Sequence, residues 1–195
     1  MSGTFRRAED WLVDRGLEPD DDAPISTAFA GQLGDQVSEA VATARRITAS
    51  TPMAEARVRR KLAARGYEDV VLDLAMERAR AEQLVNDDVF ARALIDEGRR
   101  KGNAPARLRA DLTKRDLPAE LIDALLDEPG EVTLDAAAFD VAQRRAASLR
   151  GVETETAYRR LVSYLARRGY PEQLAHRAAR MALFDDRDAE RTAGR

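Results

Sequence analysis

The sequence predicts an all-α protein: three tandem three-helix repeats forming an elongated, curved array behind an acidic N-terminal arm. Three observations carry that prediction. Leu62-Ala63-Ala64-Arg65-Gly66-Tyr67 returns as Leu165-Ala166-Arg167-Arg168-Gly169-Tyr170, with the related Leu112-Thr113-Lys114-Arg115-Asp116-Leu117 between them. The leading leucines stand 50 and 53 residues apart, the length of a supersecondary unit. No stretch alternates polar and apolar side chains at the period of a strand, whereas apolar positions recur every three to four residues.

Each copy of the motif ends a helix in the same way. Gly66 or Gly169 supplies the left-handed conformation a Schellman-type cap needs, and the apolar residue after it folds back on the last turn. Asp116 fills that place in the middle copy, aspartate being one of the few other residues that tolerate it. Glu68, Pro118 or Pro171 then opens the next helix. Val58, Leu108 and Leu161 precede the repeated leucines by four, on the same helix face, and Val71, Leu121 and Leu174 follow them by nine. Val41, Phe90 and Phe139 are spaced by 49, as are Gly102 and Gly151.

Taken in order, Phe5 to Arg15 predicts one short helix, and the acidic, Pro- and Gly-broken residues 16–37 read as a linker. The whole segment 1–37 is therefore expected to be a largely disordered arm. Helices are expected at 38–49, 53–65 and 68–81, at 87–101, 104–115 and 118–128, and at 134–150, 155–168 and 171–184. They group into repeats 38–81, 86–128 and 134–184, followed by a polar tail, 185–195. Units of this size bury little apolar surface alone, so neighbours must stack.

Charge is patterned along the chain. Residues 1–37 hold 3 basic and 8 acidic side chains, 45–115 hold 17 and 11, 116–140 hold none and 8, and 143–180 hold 9 and 3. Alternating blocks of this kind suit solvated helix faces, a partner of alternating charge, or nucleic acid. There is no cysteine, which removes disulfides and thiolate metal sites. No apolar run approaches the ~20 residues of a membrane span, and Met1-Ser2-Gly3-Thr4-Phe5-Arg6 lacks the apolar core of a signal peptide. A cytoplasmic location is expected.

Sites of catalysis or metal binding are not foreseen. His176 is the single histidine and reads as a surface residue, and no phosphate loop, nucleophile elbow or H-E-x-x-H motif occurs. The adjacent acids Asp87 and Asp88 point in different directions on a helix and fit its N-terminus, where Asn86 or Asp87 caps and Val85 staples against Phe90. No enzymatic activity and no cofactor are expected.

Asp87-Asp88-Val89-Phe90-Ala91, then Gly98-Arg99-Arg100-Lys101-Gly102, then Arg107-Leu108-Arg109-Ala110-Asp111-Leu112 and Lys114-Arg115-Asp116-Leu117, resemble the RecX family of recombination regulators. The resemblance covers residues 38–184 and is strongest over 57–126. It departs from the family at Asp116, where glycine is usual, at Asn103-Ala104-Pro105 in a normally glycine-rich connection, and in the acidic arm. It implies a non-enzymatic monomer that binds RecA–DNA filaments and inhibits recombinase, ATPase and co-protease activities in recombination, DNA repair and the SOS response. It also marks Asp87, Asp88, Phe90, Ala91, Gly66, Gly102, Leu112 and Gly169 as structural motif positions. The expected contacts with filament or DNA are the basic residues Arg57, Arg59, Arg60, Lys61, Arg99, Arg100, Lys101, Arg107, Arg109, Lys114 and Arg115. Two other readings fit the same residues, a sequence-nonspecific DNA-binding repeat and an adaptor for another protein. Against dedicated DNA binding, the basic blocks carry no aromatic residue suited to stacking on bases.

Overall fold

The structure, a computed structural model, describes the backbone over residues 27–128 and 132–193 and the side chains of 31–128 and 132–183. The described residues are helical, with no strand. The first unit comprises α1 (Thr27–Ser50), α2 (Glu55–Ala63) and α3 (Asp69–Ala81), and the second α4 (Asp87–Arg100), α5 (Pro105–Thr113) and α6 (Ala119–Asp127). The third comprises α7 (Leu134–Ala147), α8 (Thr154–Arg167) and α9 (Glu172–Ala193).

The repeated apolar positions form the cores. Val58, Leu108 and Leu161 are buried, as are Leu62, Leu112 and Leu165. One apolar cluster fills the second unit and another the third; the first divides its core between a cluster around Leu62 and Met76 and one around Val41 and Val71. Ala54 and Ala104 cross between units. Each precedes the second helix of its own unit, yet Ala54 packs in the core of the second unit and Ala104 in that of the third.

Helix ends follow the expected chemistry. Gly66, Asp116 and Gly169 have φ of 88°, 66° and 84°, and Gly102 and Gly151 share that conformation. The Leu117 N–H reaches the Leu112 carbonyl at 3.5 Å and the Tyr170 N–H that of Leu165 at 3.2 Å, the long bond of a Schellman cap. Gln83, at φ 55°, closes α3 in the same way, with the Leu84 N–H on the Ala79 carbonyl at 2.8 Å. Pro118 stands one position before α6 rather than within it, while Pro105 is the first residue of α5.

Three expectations change. Helix α1 starts at Thr27 rather than near Ser38, so residues 27–37 belong to a helix and not to a disordered arm. Leu33, Val37, Ala40, Val41 and Ala44 line one face at helical spacing and pack on α3, which outweighs Gly31 and Gly34. Helix α9 continues to Ala193 through the expected tail, since no glycine or proline intervenes before Gly194. Val85 and Phe90 do not staple together: Val85 packs in the core of the first unit and Phe90 against that of the second. The short helix expected over Phe5 to Arg15 lies outside the described residues.

Candidate functional site

Many cations on the surface are neutralised by the chain's own acids. Arg59 binds Asp73 at 2.6 Å, Arg92 reaches both Asp88 and Glu128, and Arg80 pairs with Glu55. The corner after α4, where Arg99, Arg100, Lys101, Arg107 and Arg109 concentrate in the sequence, is largely paired as well. Lys101 holds Glu97 at 2.5 Å, Arg107 holds Asp111 at 3.0 Å, and Arg109 holds Asp123. The Arg100 guanidinium donates to the Asp96 carbonyl at 3.3 Å. This corner is also where the second and third units meet. The Ala104 N–H donates to the Arg168 carbonyl at 2.8 Å, and a Cβ added to Gly169 would lie 2.7 Å from the Arg107 backbone nitrogen. Gly102 is buried, with Val141 of α7 2.6 Å from its missing Cβ.

The junction between the first and second units is built differently. Asp116 spans it, accepting two hydrogen bonds from Arg60, at 2.9 and 3.2 Å, with Arg57 at 3.7 Å. The Arg60 hydrogen bond, aided by the charges of Arg60 and Arg57, holds the Asp116 carboxyl below its ordinary range despite some desolvation. Asp87 does not cap its own helix, since the N–H of Val89 is taken by Asn86 at 3.0 Å. It reaches across instead and accepts the N–H of Glu55, the first residue of α2, at 2.8 Å. Partial burial pushes the Asp87 carboxyl up, and the Glu55 N–H opposes that shift.

An open cleft of about 380 Å³ lies at this junction, lined by the end of α1, by α2, and by Phe90 and Arg115 of the second unit. Arg57, Lys61 and Arg115 supply its charge, and Ile47, Met53 and Phe90 its apolar walls. Among the described residues no carboxylate pairs with Lys61 or Arg115; the Arg115 guanidinium lies over the Phe90 ring, 6.0 Å from its centroid. A shallower hollow continues past Ile47 to Arg46 and Arg65, which bond to the Thr43 hydroxyl and the Lys61 carbonyl respectively. The sequence expectation named Arg57, Lys61 and Arg115 but omitted Arg46 and Arg65, and it did not connect Phe90 with them. Lys114 is exposed beside Arg115, and Arg99 is exposed near the end of α4; neither is brought into the cleft.

Elsewhere, Tyr164, Tyr158 and His176 have partners of their own. Tyr164 sits between Arg145 and Arg168, at 5.1 and 4.1 Å from its ring centroid. His176 is half-buried rather than a free surface residue, its Nδ1 2.7 Å from the Tyr158 hydroxyl. Among the described residues no three histidine, aspartate or glutamate side chains gather as a metal site, and no helix is long and apolar enough to cross a membrane.

Three stacked three-helix units with a charged, non-enclosed cleft define a helical-repeat protein whose surface suits a large partner rather than an enclosed small molecule. A family model for the third three-helix domain of RecX matches residues 134–178. The chain is 33% identical over 174 residues to the regulatory protein RecX of Thermobifida fusca, covering 88% of this chain and 92% of the relative. It is 30% identical over 154 residues to its counterpart in Streptomyces coelicolor, covering 78% and 81%. The fold matches the crystal structure of RecX from Lactobacillus salivarius with a TM-score of 0.62 at 12% identity, over 76% of this chain and 97% of the other. A second RecX crystal structure matches with a TM-score of 0.59 at 16% identity, over 85% and 82%. The chain belongs to the RecX family of regulatory proteins.

Proposed function

We propose that this protein binds RecA–DNA filaments in the cytoplasm as a monomer and inhibits their recombinase, ATPase and co-protease activities, without catalysing a reaction of its own. The observation that carries the reading is the cleft between the first two units, where Lys61 and Arg115, without a carboxylate partner among the described residues, stand beside an apolar wall. An array of stacked units offers an extended face that can engage successive subunits of a polymer. Arg57, Lys61 and Arg115 form the centre of that contact, with the exposed Lys114 beside Arg115. Arg60 bridges to Asp116 of the second unit, while Arg59, Lys101, Arg107 and Arg109 hold ion pairs within their own units. Co-sedimentation with recombinase–single-stranded-DNA–nucleotide filaments tests the reading, with protein alone and DNA alone as controls. Enrichment in the filament pellet, weakening as salt is raised, is the expected result. A protein that stays in the supernatant at every salt concentration contradicts it.

A further inference from the structure

We infer that the cleft between the first and second units is a nucleotide-sized site for single-stranded nucleic acid, taking one unstacked base and its phosphate. The inference deepens the filament reading and rests on it, because it names the chemical group that the cationic cleft receives. Spacing within the basic block 45–115 does not reveal which aromatic residue meets the cations; folding brings Phe90 to them. Phe90, from the start of α4, forms one wall of the cleft opposite Ile47 and Met53, while Arg57 and Lys61 of α2 and Arg115 after α5 stand around it.

The chemistry of that arrangement is specific to a flat apolar group joined to an anion. Single-stranded bases are held by stacking on aromatic rings or guanidinium planes, and the Phe90–Arg115 pair presents both. Lys61 and Arg115 have no carboxylate partner among the described residues, so an incoming phosphate need not displace an internal ion pair from either. The exposed Ser50 and Thr51 at the rim offer hydroxyl groups to the same ligand. At about 380 Å³ and open to solvent, the cleft has room for a single base. It therefore admits one splayed nucleotide, not a duplex with its bases stacked inside. Arg46 and Arg65, in the adjoining hollow, extend the positive surface for the backbone beyond that nucleotide. The other basic aromatic cluster, at Tyr164, has two guanidiniums against its ring, Arg145 and Arg168 at 5.1 and 4.1 Å, where Phe90 has one at 6.0 Å.

The test is binding of the full-length protein to a labelled oligo(dT), followed by anisotropy across a salt series and in competition with oligo(Glu), inorganic phosphate and duplex DNA. The oligonucleotide is expected to bind with an affinity that falls as salt rises, and Lys61→Ala should flatten the slope of log K against log[salt] by about 0.7. Phe90→Leu should weaken binding by about tenfold while leaving that slope unchanged, the mark of lost stacking rather than lost charge. Lys61→Arg should keep both affinity and slope. Lys61 is exposed, so its variants remain informative even if Phe90→Leu lowers the melting temperature. Wild-type affinity for oligo(dT) in both Lys61→Ala and Phe90→Leu would overturn the inference. So would displacement by oligo(Glu) or phosphate as effective as by unlabelled oligo(dT), the behaviour of a general anion surface. Duplex competing as well as single strand would likewise overturn it. Failure to bind oligo(dT) with retained filament co-sedimentation would remove the nucleotide site and leave the filament reading standing.

Discussion

The two junctions of the array use equivalent positions for opposite ends. Between the second and third units, backbone meets backbone. Gly169 lies against Arg107, the Ala104 N–H is tied to the Arg168 carbonyl, and Gly102 admits Val141. Between the first and second units, the place of Gly169 is held by Asp116, whose carboxylate bridges to Arg60 and Arg57. A side chain in that position holds the units by charge, and the cleft lies on the same side. A repeat array thus gains a closed joint from glycine and an open, ionic one from aspartate. Asp116, standing where the third unit has Gly169, is where the open joint begins.

The strongest way to break the comparison is at the closed joint. Gly169→Val combines a forced left-handed conformation, ~1–2 kcal/mol, with overpacking against Arg107, ~1–3 kcal/mol. A loss of roughly 2–5 kcal/mol is expected in denaturant unfolding. Removing residues 1–37 comes next, because it takes Leu33 and Val37 from the face that packs on α3. Burial of such side chains is worth about 1.5–3 kcal/mol each when complete, so truncation should cost roughly 2–4 kcal/mol. Thermal melting of the two chain lengths checks this; equal melting temperatures would detach α1 from the core. Gly66→Val should cost less, about 1–2 kcal/mol, since nothing lies within 4 Å of a Cβ there and only the conformation is strained. Equal losses at Gly66 and Gly169 would erase the contrast between a free turn and a docked one.

The smallest effect is expected at Asp116. Glycine relieves the positive φ but removes the bridge to Arg60 and Arg57, and exposed ion pairs are worth about 0.2–1 kcal/mol. Asp116→Gly should therefore leave neutral-pH stability nearly unchanged, while altering its dependence on acid and salt. The Asp116 carboxyl is held below its ordinary range chiefly by the Arg60 hydrogen bond. Its contribution is thus complete above the unfolded aspartate range and lost as pH falls through the lower folded value. Asp87, raised by burial, has the opposite sign: protonation relieves it as pH falls. Melting curves from neutral to strongly acidic pH should show a shallower acid-side loss in Asp116→Gly than in wild type. An identical pH profile would deny the carboxylate its bridging role.

The helical frame was legible because it is local. Leucines that return with the same motif around them, a glycine or aspartate after each arginine-bearing helix and apolar positions four residues apart all report on short-range geometry. The misjudged start of α1 depends on context. Gly31 and Gly34 weaken the start of α1, but the stripe from Leu33 to Ala44 packs on a helix distant in the chain. Asp87 shows the same limit, since its partner is the N–H of Glu55 in the neighbouring unit rather than its own helix. The cleft was least legible of all. It joins Ile47, Lys61, Phe90 and Arg115 from different helices and connections, and no spacing in the sequence announces that meeting. Which arginines are neutralised was equally hidden, because the pairs Arg92–Glu128, Arg109–Asp123 and Arg177–Asp135 span helices.

The central claim is that the open ionic joint, rather than the basic corner beside the closed one, makes the functional contact. Filament co-sedimentation of two folded variants tests it most directly, one carrying Lys61→Ala with Arg115→Ala and the other Arg107→Ala with Arg109→Ala. Charge contacts at an interface are typically worth on the order of 1.5 kcal/mol or more, so the cleft variant should lose at least about tenfold in affinity. The second variant, whose arginines already hold Asp111 and Asp123, should bind nearly as wild type does. Wild-type affinity in the cleft variant, with binding lost in the other, would contradict the account.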